Sequence, residues 1–512
     1  MKTNSIPLVF LFAAFLSCLL AFTAQATWKY DSAKKVIVDT DGETVRWSVP
    51  VTVWNGNLAL NGTPTVGEGV LDLTNFREEA DCGYDVTAIL NYLQGDRQNI
   101  ITELIAPHIT FVSESSIGYY GRKNTSVTRI VLSDDVTTLK ANSTYGLTAL
   151  TNISPRVFRS LTTMPYFKDC SSLTGILEFP NATSVGGEAF SGCACLQDVR
   201  LPLATSVGNR AFEGCAALTN VSLSAELTAI GNHSFNNCTK LATVLPKAFP
   251  SLVSMGEFAF NKTTSLGAMP EFPNLVVLNR NAFRYSGISG DVTFAKVEKV
   301  GLYCFDGCPN LTGFYGPCVT NVDGAGLSNC SSLTNVVLAE KLQNVGYAGF
   351  ANNPELVSVS PIFGKGMKAA ARMAYQNCPK LASTLVLDCP DLEPVADVFF
   401  GTTLLSNIVV KAYPPDKEFA KLFYEVRNGA SIWFYGDPLL NQQDIQINKR
   451  TLWARFYIRN GKRNPKWLAL TSPLTEQEKE RTDYPSKKTF GKLKNGIYAI
   501  NWSTLGLSVI VR

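Results

Sequence analysis

Few residues of this sequence could take part in catalysis. The 512 residues contain only two histidines, His108 and His233, so a triad or zinc site that needs an imidazole must use one of them. His108 follows Pro107 without an identifiable partner, and His233 lies where related segments carry Arg210 or Glu188. Neither context indicates a catalytic imidazole.

Carboxylates and short motifs do not point to a reaction either. Neighbouring acids occur at Glu78-Glu79 and Asp134-Asp135, but glycoside hydrolysis needs two acids that face each other across a cleft. The sequence contains no G-x-S-x-G elbow, no P-loop and no dinucleotide fingerprint. We therefore expect no enzyme activity and no cofactor.

One cysteine pair has a spacing that invites a metal. Cys304 and Cys308 form a C-x-x-x-C pair, but a structural zinc needs four ligands, and no second pair or nearby histidine completes the set. We expect no bound metal.

The first residues have the pattern of an export signal. Lys2 precedes an almost unbroken apolar run over Ile6–Phe22, and Ala24-Gln25-Ala26 supplies a small-x-small cleavage site. This predicts a signal peptide over residues 1–26. A membrane anchor is the alternative, but the run is short of the roughly 20 residues that a span needs. A lipoprotein with its lipid on Cys18 is a weaker alternative, because mostly apolar residues follow that cysteine.

The middle of the chain repeats itself. The segments Ser184–Leu196, Ser206–Leu218 and Ala229–Leu241 share one pattern, and weaker copies begin near residue 101. Repeats of 20 to 50 residues indicate stacked architectures, because one unit cannot bury its own apolar face. A leucine-type position recurs every 22 to 25 residues, at Leu173, Leu196, Leu218, Leu241, Leu266, Ile288, Leu311, Leu333, Leu356, Leu381 and Leu404.

Each repeat, called a coil below, contains a strand and an aromatic residue. Val221 and Leu223 alternate with Ser222, a period of two that predicts a strand with one buried face. Stacked coils would each add a strand to a parallel sheet, about 4.8 Å from the last. Aromatic residues that can point into the core lie six residues before the leucine position, at Phe167, Phe190, Phe212, Phe235, Phe260, Phe305 and Phe350.

The block G-x-x-A-F-x-G-C-x-x-L, followed by x-x-V-x-L-P, resembles the BspA-type leucine-rich repeats of bacterial surface proteins. The resemblance covers roughly Ile101–Leu404 and departs from the pattern near Ile288, where Phe283 is one residue closer, and at Leu327, which replaces the aromatic. It implies an α/β repeat fold, a right-handed leucine-rich-repeat solenoid with a parallel β-sheet.

Cysteines recur in one slot, three residues before the leucine position. An even number of cysteines in an exported chain favours disulfides, but stacked side chains run parallel and do not point at each other. Because Thr263, Asn353 and Gly401 take the same slot elsewhere, we expect a small buried filler and mostly free thiols. The slot holds Cys170, Cys193, Cys215, Cys238, Cys308, Cys330 and Cys378.

The two ends differ from the repeats. Residues 27–100 are predicted to form a β-rich N-terminal cap that includes a hairpin with its turn at Asp41-Gly42. The solenoid is assigned to residues 101–437, with helical spacing over Lys417–Tyr424, and a small β-rich domain to residues 438–512. Strands near the C-terminus are predicted at Ile432–Tyr435, Leu452–Ile458, Trp467–Leu470, Ile497–Trp502 and Ser508–Val511.

Charge divides the chain. The whole sequence carries a net charge of +4, but residues 441–512 hold 14 basic and 5 acidic residues, which leaves residues 27–440 at −6 once Lys2 is set aside. The basic C-terminal domain fits three interpretations: a solvated surface, contact with an anionic envelope polymer, or a module that weakly resembles the C-terminal sorting domains of bacterial exported proteins. We do not expect nucleic acid as a partner of an exported chain.

These patterns favour an exported, surface-exposed binding or adhesion scaffold for a protein or glycan, without catalysis. The alternative is a structural envelope protein that self-associates and has no discrete ligand. We expect the mature chain to be secreted or held at the cell surface without a transmembrane segment. Strand residues expected on the concave, ligand-binding side are Glu178, Arg200, Ser222, Val337 and Ser358.

Overall fold

A computed structural model gives the architecture. It describes residues 27–405 except 42–43, 68, 77–79, 81, 94–100, 119–122, 394, 396, 403, and seven further strands between residues 407 and 511. The chain divides into two compact units, residues 1–182 with 192–196, and residues 183–191 with 197–512. Each unit is described by itself.

The first unit opens with four antiparallel strands, β1 (Thr27–Asp31), β2 (Val36–Asp41), β3 (Thr44–Trp54) and β4 (Asn57–Leu60). In β3 every second residue from Trp47 to Val51 is buried, as its alternating sequence predicts. The pairing of β2 with β3 confirms the predicted hairpin.

Parallel pairing then replaces antiparallel pairing. β4 pairs with β6 (Val86–Ile89), followed by β8 (Phe111–Val112) and β10 (Thr138–Leu139). A second parallel sheet contains β5 (Gly69–Asp72), β7 (Ile101–Ile105), β9 (Arg129–Val131) and β11 (Asn152–Ser154). The strand β12 (Gly175–Glu178) is the last of this unit. Parallel stacking thus begins before residue 101, and the boundary at residue 100 stays a prediction.

The N-terminal strand covers the start of the second sheet. The indole Nε1 of Trp28 donates a hydrogen bond to the carbonyl oxygen of Asp72, 2.9 Å away, and the Trp28 ring packs edge-on against Phe76 at 6.0 Å. Trp28 is buried. A capping element of this kind shields apolar surface that a terminal coil would otherwise expose.

Most coils of the second unit contain a longer and a two-residue strand, the coil that begins at Leu266 contains only a two-residue strand, and every strand of the repeats is parallel to its neighbours. The longer strands are β13 (Leu196–Arg200), β15 (Asn220–Ser222), β17 (Thr243–Leu245), β20 (Gly290–Thr293), β22 (Leu311–Tyr315), β24 (Asn335–Val337) and β26 (Ser358–Ser360). The two-residue strands are β14 (Ser206–Val207), β16 (Ala229–Ile230), β18 (Ser254–Met255), β19 (Val277–Leu278), β21 (Lys299–Val300), β23 (Asn321–Val322), β25 (Asn344–Val345) and β27 (Ala369–Ala370). Turns connect them, and the predicted parallel solenoid is confirmed.

The strands from residue 385 onward form a separate six-stranded sheet and a further two-stranded sheet. β28 (Leu385–Asp388), β29 (Asn407–Ala412), β30 (Ala430–Tyr435) and β32 (Trp453–Arg459) pair in parallel. β34 (Tyr498–Ser503) and β35 (Gly506–Val511) then follow in antiparallel pairing, and β31 (Ile445–Asn448) pairs with β33 (Lys487–Phe490). The sheet therefore crosses residue 437, and the domain boundary there stays a prediction. The predicted helix at 417–424 and strand at 467–470 lie outside the described residues.

Aromatic rings form a stack along the core of the second unit. Consecutive rings from Phe190 through Phe212, Phe235 and Phe260 to Phe283 lie 5.0 to 5.4 Å apart, with interplanar angles of 2° to 11°. All of these side chains are buried. The sequence prediction that the repeated aromatic points into the core is confirmed.

The cysteine slot supplies a hydrogen-bond donor as well as volume. The thiols of Cys215, Cys308 and Cys378 each lie 3.0 Å from the carbonyl oxygen of the aromatic residue in the preceding coil. Asn353 Nδ2 and Thr402 Oγ1 in the same slot donate to the matching carbonyls at 2.8 and 2.6 Å, whereas Thr263 Oγ1 donates to Phe260 of its own coil at 2.8 Å. These carbonyls also accept backbone N–H groups, as Phe283 does from Ser286 at 3.0 Å. The slot side chain adds a second hydrogen bond that joins two coils, so the description of the slot as a mere filler is incomplete. All twelve cysteines among the described residues are free thiols.

The slot also corrects the end of the repeat. Thr402 rather than Gly401 occupies it, and Leu405 is fully buried, whereas Leu404 is 38% exposed. The reason is that the residue before the slot has a left-handed backbone, with φ of +73° at Gly401 and +75° at Gly214. Counting fixed intervals between leucines misses this turn by one residue.

Candidate ligand-binding face

A buried spine decides which strand residues face outward. Val199, Val221 and Val244 lie directly opposite one another in β13, β15 and β17, and all are buried. Because successive strand residues point to opposite faces, the residues on either side of each valine point away from the core. We call the surface they form, together with its continuation on β20, β22, β24 and β26, the outward strand face.

The strand register arranges this face in two rows. On the first sheet one row contains Asp198, Asn220 and Thr243, and the other contains Arg200, Ser222 and Leu245. On the second sheet the rows are Asp291, Gly313, Asn335 and Ser358, and Thr293, Tyr315, Val337 and Ser360. The parallel register thus places like positions of successive coils beside each other.

The residues predicted for ligand binding fall into different rows. Arg200 and Ser222 are direct neighbours, but Val337 lies opposite Ser360, so Ser358 belongs to the other row. Glu178 ends β12 in the first unit and is half-buried. In the second unit these positions lie on either side of the buried spine residues, and their role in ligand binding stays a prediction.

The sequence did not reveal the polar and aromatic side chains that face outward on the second sheet. Asp291, Thr293 and Asn335 are exposed and Tyr315 is half-buried. The repeat pattern does not point to them, because the repeat near Ile288 departs from it. Ser286 occupies the slot three residues after Phe283, just as Cys308 lies three residues after Phe305. This coil deviates because it has one residue fewer between the slot and the leucine position, Ile288. Aligning the buried spine of Val292, Phe314 and Val336 would have found the outward positions.

The face offers polar and apolar contacts but little charge. Arg200 Nε lies 3.7 Å from Asp198 Oδ1 on the first sheet, and Leu245 is 40% exposed. On the second sheet Asp291 is the one charged residue of β20, β22, β24 and β26. Such a surface can bind a macromolecule through many modest contacts.

The histidines and paired acids do not belong to these rows. His108 Nδ1 is 3.3 Å from Asp85 Oδ2, a partner that the sequence did not reveal, and the His233 ring stacks on Phe258 at 4.5 Å. Asp134-Asp135 is an exposed turn, and Glu78-Glu79 lies outside the described residues. Across the part of the chain that is described, no group of His, Cys, Asp or Glu could hold a metal.

The buried thiols are poor nucleophiles. Burial raises the pKa of Cys170, Cys330 and Cys378 to about 12. Only the thiolate reacts as a nucleophile, so these side chains stay protonated at neutral pH. Their position in the core assigns them to packing and hydrogen bonding.

Residues 163–289 and 256–382 match the family model described as the BspA type leucine rich repeat region, in six copies. Residues 163–382 are repeats of the BspA type. The match lies on the coils whose aromatic stack and donor slot are described above, and it confirms the resemblance identified from the sequence. Among curated proteins, none matches this sequence.

Two solved bacterial leucine-rich repeat proteins are similar to this chain. A leucine-rich repeat protein from Bacteroides ovatus is 21% identical with a TM-score of 0.50, over 72% of this chain and 93% of that one. A leucine rich cell surface protein from Faecalibacterium prausnitzii is 17% identical with a TM-score of 0.38, over 72% and 93%. The likeness to the Bacteroides ovatus protein concerns the fold alone. Within the described residues, no helix is long and apolar enough to cross a membrane.

Proposed function

We propose that this protein is an exported binding scaffold that presents the outward strand face to a protein or glycan at the cell surface, without catalysing a reaction. One observation carries the proposal: within each of the two sheets, the parallel register places outward side chains of successive coils in two rows beside a buried spine. The apolar run and cleavage pattern of residues 1–26 support export. BspA-type repeats support a scaffold role.

The test is binding of the purified mature protein to arrays of matrix proteins and glycans. Ser222→Arg would place a long charged side chain in the middle of one row, and should reduce saturable binding at least about tenfold if the ligand covers that row. Gln343→Arg makes the same charge change at an exposed position away from the spine and serves as the control. Equal binding by both variants would contradict the role of this face.

The division of charge favours self-association as the second candidate. The basic residues 441–512 and the acidic remainder of the mature chain are complementary between copies. Truncation after Asp437 would confuse the test, because β32 pairs with β30 and its loss exposes a strand edge. Replacing Lys462, Arg463 and Lys466 with Glu keeps the chain length. The structural role would be favoured if the protein assembles in a concentration-dependent way, if these changes abolish the assembly, and if no ligand on the arrays binds.

A further inference from the structure

The outward strand face contains a notch at Gly313. A side chain is missing there between Asp291 and Asn335 in the same row. A Cβ added at Gly313 would lie 2.6 Å from Asp291 Oδ1 and 3.0 Å from Tyr315 Cε2. A carboxylate oxygen and an aromatic ring edge therefore lie within about 6 Å of each other over bare backbone.

Asp291 is fixed in position but lacks a cation. Its Oδ1 accepts a hydrogen bond from Thr312 Oγ1 at 2.6 Å, and among the described residues no lysine, arginine or histidine pairs with it. Other carboxylates of this unit do have partners, such as Asp306 with Arg284 at 2.9 Å and Asp323 with Lys299 at 2.9 Å. Asp291 is exposed and stands alone on its sheet.

Building on the proposed function, we propose that the Gly313 notch binds an arginine side chain of a protein partner. A guanidinium can pair with a carboxylate through two N–H groups and also lie against a tyrosine ring, which an ammonium does less well. Asn335, exposed in the same row, offers a further amide to the partner's backbone. Because Asp291 and Tyr315 already lean over Gly313, the guanidinium would lie against these two side chains rather than on the backbone of Gly313. The net charge of −6 over residues 27–440 favours approach of a basic partner.

The probe is a fluorescein-labelled (Arg-Gly)₄ peptide, with binding followed by fluorescence anisotropy at low ionic strength. We expect saturable binding that a citrulline version of the peptide lacks and that a (Lys-Gly)₄ peptide shows more weakly. Asp291→Asn keeps the acceptor for Thr312 but removes the charge, and should weaken binding at least about tenfold. Tyr315→Leu should weaken it about threefold.

Glu340→Gln is the matched control, because it makes the same charge change at an exposed position outside the outward strand face. Equal affinity for the arginine and citrulline peptides would overturn the proposal, and so would equal losses in Asp291→Asn and Glu340→Gln. Circular dichroism of each variant excludes unfolding as the cause. Array ligands that bind wild type and Asp291→Asn equally would leave the scaffold function intact and reject the notch alone. If the arginine peptide binds specifically but no array ligand binds, the wider scaffold role is rejected and the proposal for the notch is retained.

Discussion

The thiol of Cys238 donates a hydrogen bond to the backbone carbonyl oxygen of Phe212, one coil earlier, across 3.0 Å. The same relationship joins Cys330 to Phe305 at 3.2 Å. The contact ties each coil to the one before it at the point where the stacked aromatic leaves the backbone. The slot therefore selects for a small side chain that can donate.

Replacing Cys238 separates these two requirements. Cys238→Val and Cys238→Thr add the same volume, but valine removes the hydrogen bond from the slot to the Phe212 carbonyl, which then keeps only the backbone N–H of Cys215 at 3.1 Å. The valine variant should lower stability by about 0.5 to 1.5 kcal/mol. Cys238→Thr should cost less, because Thr402 already donates to the matching carbonyl of its own preceding coil. Thermal unfolding of both variants measures the difference, and a valine variant as stable as the threonine variant would rule out the donor role.

Alkaline pH should destabilise the repeats through the buried cysteines of the slot. Burial raises the pKa of the Cys330 thiol to about 12, from an ordinary value near 9. Between these values the folded state keeps a proton that the unfolded state has released, so stability is full below pH 9 and falls as pH rises toward 12. Cys330→Thr should lose less stability than wild type between pH 9 and 11. The exposed Cys195 replaced by Thr is the control, and identical pH profiles for all three proteins would contradict the mechanism.

Thiol reagents should distinguish surface from core. In the native protein at pH 8 only Cys195 and Cys318, which are exposed, should react promptly, and the half-buried Cys82 more slowly. After denaturation without reductant, all twelve cysteines from Cys82 to Cys389 should react. If well fewer than twelve cysteines react in the denatured protein, disulfides form between cysteines of the slot.

Two glycines should respond in opposite ways to alanine. A Cβ at Gly231 would lie 2.6 Å from the backbone nitrogen of Asn209, whereas one at Gly267 would meet nothing within 4 Å. We expect Gly231→Ala to destabilise by about 1 to 3 kcal/mol through overpacking of the turn. Gly267→Ala should be neutral or stabilising by up to about 1 kcal/mol, because it restricts the unfolded chain. Chemical denaturation compares them, and similar effects at both sites would disprove the close stacking of turns.

The sequence alone sufficed for the parts of the fold that repeat. The spacing of Phe212 and Phe235 within their coils predicts a ring stack because any residue repeated in a solenoid meets its own copy. The donor role of Cys238 was not visible, since a hydrogen bond to a backbone carbonyl of another coil leaves no mark on residue spacing. The shift to Thr402 also escaped, because it depends on the left-handed backbone of Gly401.

The candidate site was less predictable than the core. Which face a strand residue points to follows from alternation, and this placed Arg200 and Ser222 together. Which of the two rows a residue belongs to depends on the strand register. The sequence prediction grouped Ser358 with Val337, which belongs to the other row. The notch at Gly313 requires knowing how Asp291 and Tyr315 bend over a position with no side chain, and a sequence pattern carries no such information.

The antiparallel strands at the two ends set the number of coils. β1 to β4 precede the parallel pairs, and β34 with β35 follows them. A parallel array that simply stopped would offer its last strand to any similar array, and copies could then polymerise into fibres. Reversing the strand direction at each end replaces that template with a strand that the next coil of another copy does not match. Proteolytic fragments that lose either end should therefore be the fibre-forming species, and the intact chain should remain discrete.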